Sequence, residues 1–350
     1  MRDLPDLATT VIDGPSGRIA VADHGGHGPD VVLIHGANRS LLDWEPLRRH
    51  LPEARLVAYD LRGHGHSDAP TDALTDALTD APTVAPTGAP AGAPTGSPAG
   101  ASTGAGYGWD AHLADLDAVI DALRLTDPYV IGHSLGGMIA VCHGARRPDC
   151  PGVADLDGFG GGRPELYPGL PAEEVARRRA AQTAALAAAP AVLTADQVET
   201  MIEHVRLRAQ AMGIDADLEE AGARRCLTPD GPSAWRPKPG PGAQAALLAP
   251  LDGWSVFDVL RRTRCPVLLV QGGQAPPLAQ LPDGFRELSE ALIAGVEREL
   301  ATLRGPRLER VAGAGHLLHL QAPAAVGELI RTHLMSGQGQ GGPGARPAHG

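Results

Sequence analysis

Residues 129–138 read Tyr129-Val130-Ile131-Gly132-His133-Ser134-Leu135-Gly136-Gly137-Met138, and this stretch decides how the chain folds. Tyr129-Val130-Ile131 is a short β-branched and aromatic run, the pattern of a buried strand. From Met138 onward Ile139, Val141, Cys142 and Ala145 mark a largely buried helix. Gly132-His133-Ser134-Leu135-Gly136 joins the two and fits G-x-S-x-G. A serine on so tight a strand-to-helix turn has its Oγ thrust clear of the sheet, and the flanking glycines relieve the crowding. The helix N-terminus behind it favours negative charge developing nearby. A serine that merely caps a helix on a glycine-rich turn is the bland alternative, and the rest of the chain argues against it.

Working outward, Val31 to Ile34 is a second buried run that stops at His35-Gly36, and Leu56 to Tyr59 a third that stops at Asp60. Ile19 and Val21 alternate with small or polar neighbours, as in a hairpin strand. Val153 to Leu156, Val267 to Val270 and Leu308 to Val311 complete the strand candidates. Between them lie helical periods. Trp44, Leu47 and Leu51 share one face, with Pro52 closing the helix. Trp109, Leu113, Leu116, Val119, Ile120 and Leu123 fall three and four apart, and Val326, Leu329, Ile330 and Leu334 follow Pro323. Strands apolar on both faces and alternating with helices predict an α/β fold: a doubly wound, mostly parallel sheet covered on both sides. Between Gly160 and about Pro250 the strand signal vanishes. Pro171 to Ala189 reads as a helix, Thr194 to Gln197 as a capping box opening another through Val198, Met201, Ile202 and Val205, and Asp215 as the cap of a third. A helical excursion between two late strands reads as a lid.

The chain of 350 residues is accordingly divided into a first part of the core (1–68), an insertion (69–106), core with the serine turn (107–160), a helical lid (161–250), core again (251–335) and a tail (336–350). The insertion is a four-residue repeat dissolving into Pro, Gly, Ala and Thr, and with the tail it lacks the large side chains that offset the entropy of ordering, so both are expected to be disordered. Hydrophobic residues make up 43% and the formal charge is -11, which excludes a basic face for nucleic acid or anionic membrane. No apolar run is long enough to cross a bilayer, and Met1 to Asp6 has no signal-peptide pattern, so the expected location is the cytoplasm. Cys142, Cys150, Cys226 and Cys265 are scattered without C-x-x-C spacing, which suggests reduced thiols and neither a zinc site nor a cofactor. The expected partner is a small-molecule substrate; the oligomeric state stays open.

A nucleophilic serine needs a base. Gly313-Ala314-Gly315-His316 follows the last strand and places at the sheet edge where Ser134 emerges an imidazole, a group suited to taking and returning a proton. Position singles out His316 among fourteen histidines; most others, His319 included, are expected at the surface or in hydrogen bonds. Acyl transfer also needs donors for an oxyanion. The amides of Ala37, in the turn His35-Gly36-Ala37-Asn38, and of Leu135 could converge beside Ser134. His35 is expected to brace its own loop, and His133 to be structural or to line a pocket.

These motifs together resemble the α/β-hydrolase superfamily: H-G-x-N at His35–Asn38, D-x-R-G-x-G-x-S at Asp60–Ser67, Gly132–Gly137, and Gly313–His316. The resemblance spans residues 10 to 335 apart from the insertion and a weakly patterned lid. It points to the branch of esterases, lactonases, haloperoxidase-like perhydrolases, epoxide hydrolases and C–C bond hydrolases. It implies Ser134 as nucleophile, His316 as base and the Ala37 and Leu135 amides as oxyanion hole. It excludes haloalkane dehalogenases and epoxide hydrolases, which carry a carboxylate where Ser134 stands. The family usually places its triad acid in a G-x-x-D turn after the strand Val267–Val270, and here that turn is Gly272-Gly273-Gln274-Ala275. Some members place the acid after the preceding strand, where Asp157 stands before Gly158; Asp155 has the same facing but sits deeper. Asp283, in the loop after Gly272, is the reserve, and a Ser–His dyad or a loss of catalysis the remainder. The implied activity is a serine hydrolase of a small ester, lactone, thioester or amide. An acyltransferase with the same residues, or a non-catalytic ligand-binding protein on the same fold, is the alternative.

Overall fold

The computed structural model describes residues 9–70, 105–276, 278–281 and 283–336. Most of the expected insertion and all but the first residue of the expected tail lie outside the described residues.

In chain order the strands are β1 (Thr10–Gly14), β2 (Gly17–Asp23), β3 (Asp30–Ile34), β4 (Arg55–Tyr59), β5 (Tyr129–His133), β6 (Val153–Leu156), β7 (Leu193–Thr194), β8 (Leu227–Pro229), β9 (Ala234–Pro237), β10 (Val267–Gly272) and β11 (Arg307–Val311). The helices are α1 (Glu45–Arg48), α2 (Trp109–Ala122), α3 (Leu135–Arg146), α4 (Ala172–Ala187), α5 (Ala195–Ala211), α6 (Ala216–Arg225), α7 (Pro241–Ala246), α8 (Val256–Leu260), α9 (Asp283–Thr302), α10 (Leu318–Gln321) and α11 (Pro323–Ile330). Eight strands form one sheet in the order β1-β2-β4-β3-β5-β6-β10-β11. β2 runs antiparallel to β1 and β4, and the other neighbours pair in parallel.

The sheet is buried on both faces because its central strands are apolar at most positions. Val32 and Ile34 of β3 pack with Leu113, Leu116 and Val119 of α2 and Ile139 of α3. Val31 and Leu33 turn to the other side, with Trp44, Leu47, Leu51, Val326 and Ile330. All four β3 side chains are fully buried, each contributing about 1.5–3 kcal/mol relative to exposure. The doubly wound, mostly parallel sheet expected from the alternation is the one observed.

Two local expectations are corrected. The apolar face Trp44-Leu47-Leu51 is buried, but its helix is a single turn after a 3₁₀ turn at Leu41–Trp44. Pro46 explains this, since a helix can begin at a proline but not run through it from Leu41. The segment between β6 and β10 is not purely helical. It folds into α4 to α8 together with a small antiparallel sheet, β7-β9-β8. Those strands are two to four residues long and partly exposed, too short to leave an alternating pattern. The helix starts in this segment are where the caps place them: Thr194 and Gln197 form a complete capping box, and Asp215 accepts from the amides of Asp217 and Leu218. Among the described residues no helix is long and apolar enough to cross a membrane.

Parallel register aligns the strand ends that matter. Ile34 pairs with Gly132, His133 with Leu156, Leu156 with Val270, and Gly272 with Val311. The loops after β3, β5, β6, β10 and β11 therefore open on one edge. The turn after β5 is held by backbone packed on backbone: a Cβ on Gly136 would lie 2.1 Å from the Ile34 carbonyl oxygen, and one on Gly132 2.0 Å from that of Gly136. Gly136→Ala is expected to cost on the order of 3 kcal/mol in denaturant unfolding, since backbone cannot give way as a side-chain tip can. Gly284→Ala, in open space near the start of α9, should show no loss in the same measurement.

Candidate active site

Ser134 is the N-cap of α3 and carries φ 53° and ψ −116°, a conformation costing a non-glycine residue on the order of 1–3 kcal/mol. Its amide donates to the Leu156 carbonyl at 2.9 Å, so the strain is held by the neighbouring strand. Its Oγ has no hydrogen-bond partner among the described residues.

His316 stands on the loop after β11. Its Nδ1 lies 2.7 Å from Asp157 Oδ2, with the imidazole about half exposed and the carboxylate about one-fifth exposed. A carboxylate accepts, so Nδ1 carries the proton and Nε2 is left with the lone pair. Asp157 follows β6 directly, in the left-handed region at φ 58° that aspartate tolerates better than most residues. Its Oδ1 accepts from the Gly272 amide at 3.1 Å. The turn after β10, which lacks the expected carboxylate, thus supplies a donor that orients the one after β6. That turn also presses on the histidine loop: Gln274 N–H donates to the Ala314 carbonyl at 2.9 Å, and a Cβ on Gly272 would lie 2.4 Å from the Gly315 oxygen.

The two residues beside this pair behave as braces. Burial pushes the imidazole of His133 well below its ordinary pKa, and the neighbouring His319 and His316 add to the effect. Neutral His133 has Nε2 at 2.8 Å from the His316 carbonyl oxygen, which fixes the loop from below. Buried His35, also pushed down by burial, bonds Gly36 O through Nδ1 at 2.7 Å and accepts from Leu61 N–H through Nε2 at 3.0 Å. It holds the turn that carries Ala37. A Cβ on Gly36 would stand 3.2 Å from Ser134 Cβ, so this turn lies directly against the serine. The amides of Ala37 and Leu135 have no acceptor among the described residues, and Leu135 opens α3, whose first amides are unpaired by construction.

The other carboxylates are elsewhere. Asp283 opens α9, is 85% exposed and pairs with Arg286 at 2.7 Å. Asp155 is fully buried under the first turn of α3, where a Cβ on Gly137 would touch its Oδ1. That oxygen accepts from Gly158 N–H at 2.7 Å, and Oδ2 has no partner among the described residues. Burial raises its carboxyl well above the usual range. His319, expected at the surface or in hydrogen bonds, is fully buried against Trp44 and His133, with Nε2 3.5 Å from Asp43 Oδ2.

Sequence reasoning did not single out Arg39 or Asp43, nor Glu219 and Arg225 on α6, which pack behind the Ala37 turn. Asp43, His133 and His319 offer three ligand atoms within 4.8 Å of one another, the grouping among the described residues that could hold a metal ion. Both oxygens of Asp43 are already bound by the Arg39 guanidinium at 2.7 and 2.8 Å, so a cation there would face a fixed positive charge. A cavity of about 200 Å³ adjoins the turn, lined by Asn38, Arg39, Met201, Val205, Cys226 and Lys238 among others. A larger one, about 610 Å³, is lined by His24, Arg48 and Ile214, and neither cavity is lined by Ser134, Asp157 or His316.

A doubly wound sheet with a serine on a strained strand-to-helix turn, and an imidazole–carboxylate pair on neighbouring loops, defines a class before any comparison. Residues 29–189 match the family described as "alpha/beta hydrolase fold". A Bacillus subtilis (strain 168) protein provisionally named 2-succinyl-6-hydroxy-2,4-cyclohexadiene-1-carboxylate synthase is 25% identical over 342 residues, covering 93% of this chain and 97% of that one. The crystal structure of an E-2-(acetamidomethylene)succinate hydrolase superposes with a TM-score of 0.63 at 21% identity, over 94% of this chain and 99% of its own. The enol-lactonase from Burkholderia xenovorans LB400 does so with a TM-score of 0.53 at 20% identity, over 93% and 100%. The chain has the α/β-hydrolase fold.

Asp155 gives this site a pH signature. Its native pKa lies above the unfolded value, so its contribution to stability is fully present below the unfolded aspartate pKa and is lost as pH rises toward the native value. Asp155→Asn keeps the acceptor for Gly158 but cannot ionise. The stability of the variant relative to wild type, from unfolding midpoints, should therefore climb from pH 4 upward. A difference that stays flat would mean Asp155 is ionised in the native state.

Proposed function

We propose that this protein is a serine hydrolase cleaving a small ester, lactone, thioester or amide through an acyl-enzyme intermediate. The observation that carries the reading is the 2.7 Å contact between His316 Nδ1 and Asp157 Oδ2 on loops beside Ser134. Bound in this way, His316 turns its Nε2 lone pair into a base. As Ser134 Oγ attacks the substrate carbonyl, its proton passes to Nε2, and Asp157 stabilises the imidazolium that results. The amides of Ala37 and Leu135 receive the oxyanion, a contribution on the order of 10²–10³ in rate per donor. Nε2–H then protonates the leaving group. A water deprotonated by the same nitrogen attacks the acyl-serine and returns the enzyme to its starting state.

The names of the similar structures, a hydrolase of an unsaturated amide and an enol-lactonase, support hydrolysis at a small activated carbonyl. The non-catalytic reading drew on the missing carboxylate after β10, and Asp157 beside His316 removes that motive.

A fluorophosphonate probe should label the wild-type protein, and Ser134→Ala should abolish labelling with the melting temperature retained. A folded wild type that neither labels nor turns over short p-nitrophenyl esters would sink the hydrolase reading. Asp157→Asn keeps the shape but can hold the wrong imidazole tautomer, so kcat should fall by a factor on the order of 10⁴. Asp283→Asn, remote on α9, should stay near wild type in the same assay.

A further inference from the structure

Helix α6, in the segment between β6 and β10, meets the Ala37 turn through two arginine–carboxylate contacts of opposite polarity. In the first the core supplies the cation. Arg39, two residues beyond Ala37, binds both oxygens of Asp43 and both of Glu219, with Nη1 3.0 Å from Glu219 Oε2. In the second the core supplies the anion. Arg225 Nε donates to Asp60 Oδ2 at 3.0 Å, and Asp60 Oδ1 accepts the Leu41 amide at 2.9 Å, just past the same turn. Glu219, Arg225 and Asp60 are all less than a tenth exposed. Two further ties close the contact: Cys226 Sγ reaches the Arg39 carbonyl at 3.6 Å, and Lys238 Nζ donates to the Ser67 carbonyl at 2.6 Å.

Ion pairs this dry are matched sets, because removing one partner leaves the other charge buried and uncompensated. The opposite polarities also allow α6 only one way of sitting on the core. Within the turn, Arg39 N–H donates to Gly36 O at 3.3 Å, so guanidinium and Ala37 amide belong to one short rigid stretch. We propose that Glu219 and Arg225 are positioning residues for the oxyanion hole: seating α6 fixes the Ala37 amide, and the hole is complete only with the inserted segment docked. This rests on the serine-hydrolase reading above, and it assigns the segment a part in the chemical step besides covering a pocket. The Ala37 amide must meet an oxyanion to within about an ångström, a displacement that can cost on the order of 10²-fold.

The test compares Glu219→Gln and Arg225→Met with wild type on p-nitrophenyl acetate, alongside hydrogen exchange over residues 36–43. Both variants should lose on the order of 10–100-fold in kcat with KM changed by less than about threefold. The Arg39 and Leu41 amides should exchange faster. Glu219→Asp keeps the charge and should retain more kcat than Glu219→Gln; it carries the comparison if the glutamine variant does not fold. Wild-type kcat with wild-type exchange overturns the proposal, and so does a loss confined to KM, which marks α6 as a cover alone. If wild type itself neither turns over ester nor reacts with fluorophosphonate, the hydrolase reading fails. The exchange data then decide alone, and unchanged exchange in the variants overturns the coupling as well.

Discussion

Everything at this site depends on how closely one turn lets backbone approach backbone. Between β5 and α3 the chain reverses within a few residues, with Gly132 folded against Gly136 and Gly136 against the end of β3. No side chain fits in either gap, and Ser134 between them is forced to a positive φ. The strain is tolerable because β3 and β6 grip the turn from both sides in parallel register. The same closeness brings the Gly36 turn against the serine, so the positions of Ser134 and of the Ala37 turn follow from one packing constraint.

Environment sorts the carboxylates. Asp155 and Asp157 are two residues apart on one strand end, yet Asp155 is sealed under α3 while Asp157 is partly exposed and receives a backbone donor from β10. Desolvation drives the first toward its neutral form. The second lies 2.7 Å from His316 Nδ1. Histidines are sorted in the same way: buried His35 and His133 are kept neutral and each bonds a backbone carbonyl, while His316 is left about half exposed.

The segment between β6 and β10 is bound to the core by charge as well as by apolar contact. Ile214 and Leu218 pack with Leu317 and Leu320, on the helix after the His316 loop. Glu219 and Arg225, on the same helix as Leu218, reach Arg39 and Asp60. One short helix therefore touches the chain just after His316 and the turn that carries Ala37 together.

The amino-acid pattern by itself determined the layered α/β fold, the serine turn and the candidate base. These rest on local rules: two-sided apolar strands, helical spacing, and glycine where the backbone must pass close. Short strands at 193–194, 227–229 and 234–237 leave no period, because each has only two to four partly exposed residues, and Pro46 confines to one turn the helix that the apolar face from Trp44 to Leu51 predicts. Which carboxylate meets His316 could not be read from spacing, since Asp157 and His316 are 159 residues apart and Asp283 is nearer in sequence. The sheet order β5-β6-β10-β11 decided it, by setting the end of β6 within reach of the loop after β11. Tertiary structure likewise brought Arg39 to Glu219, 180 residues away, because a buried charge finds its partner through the packing of whole elements and leaves no local trace in the chain.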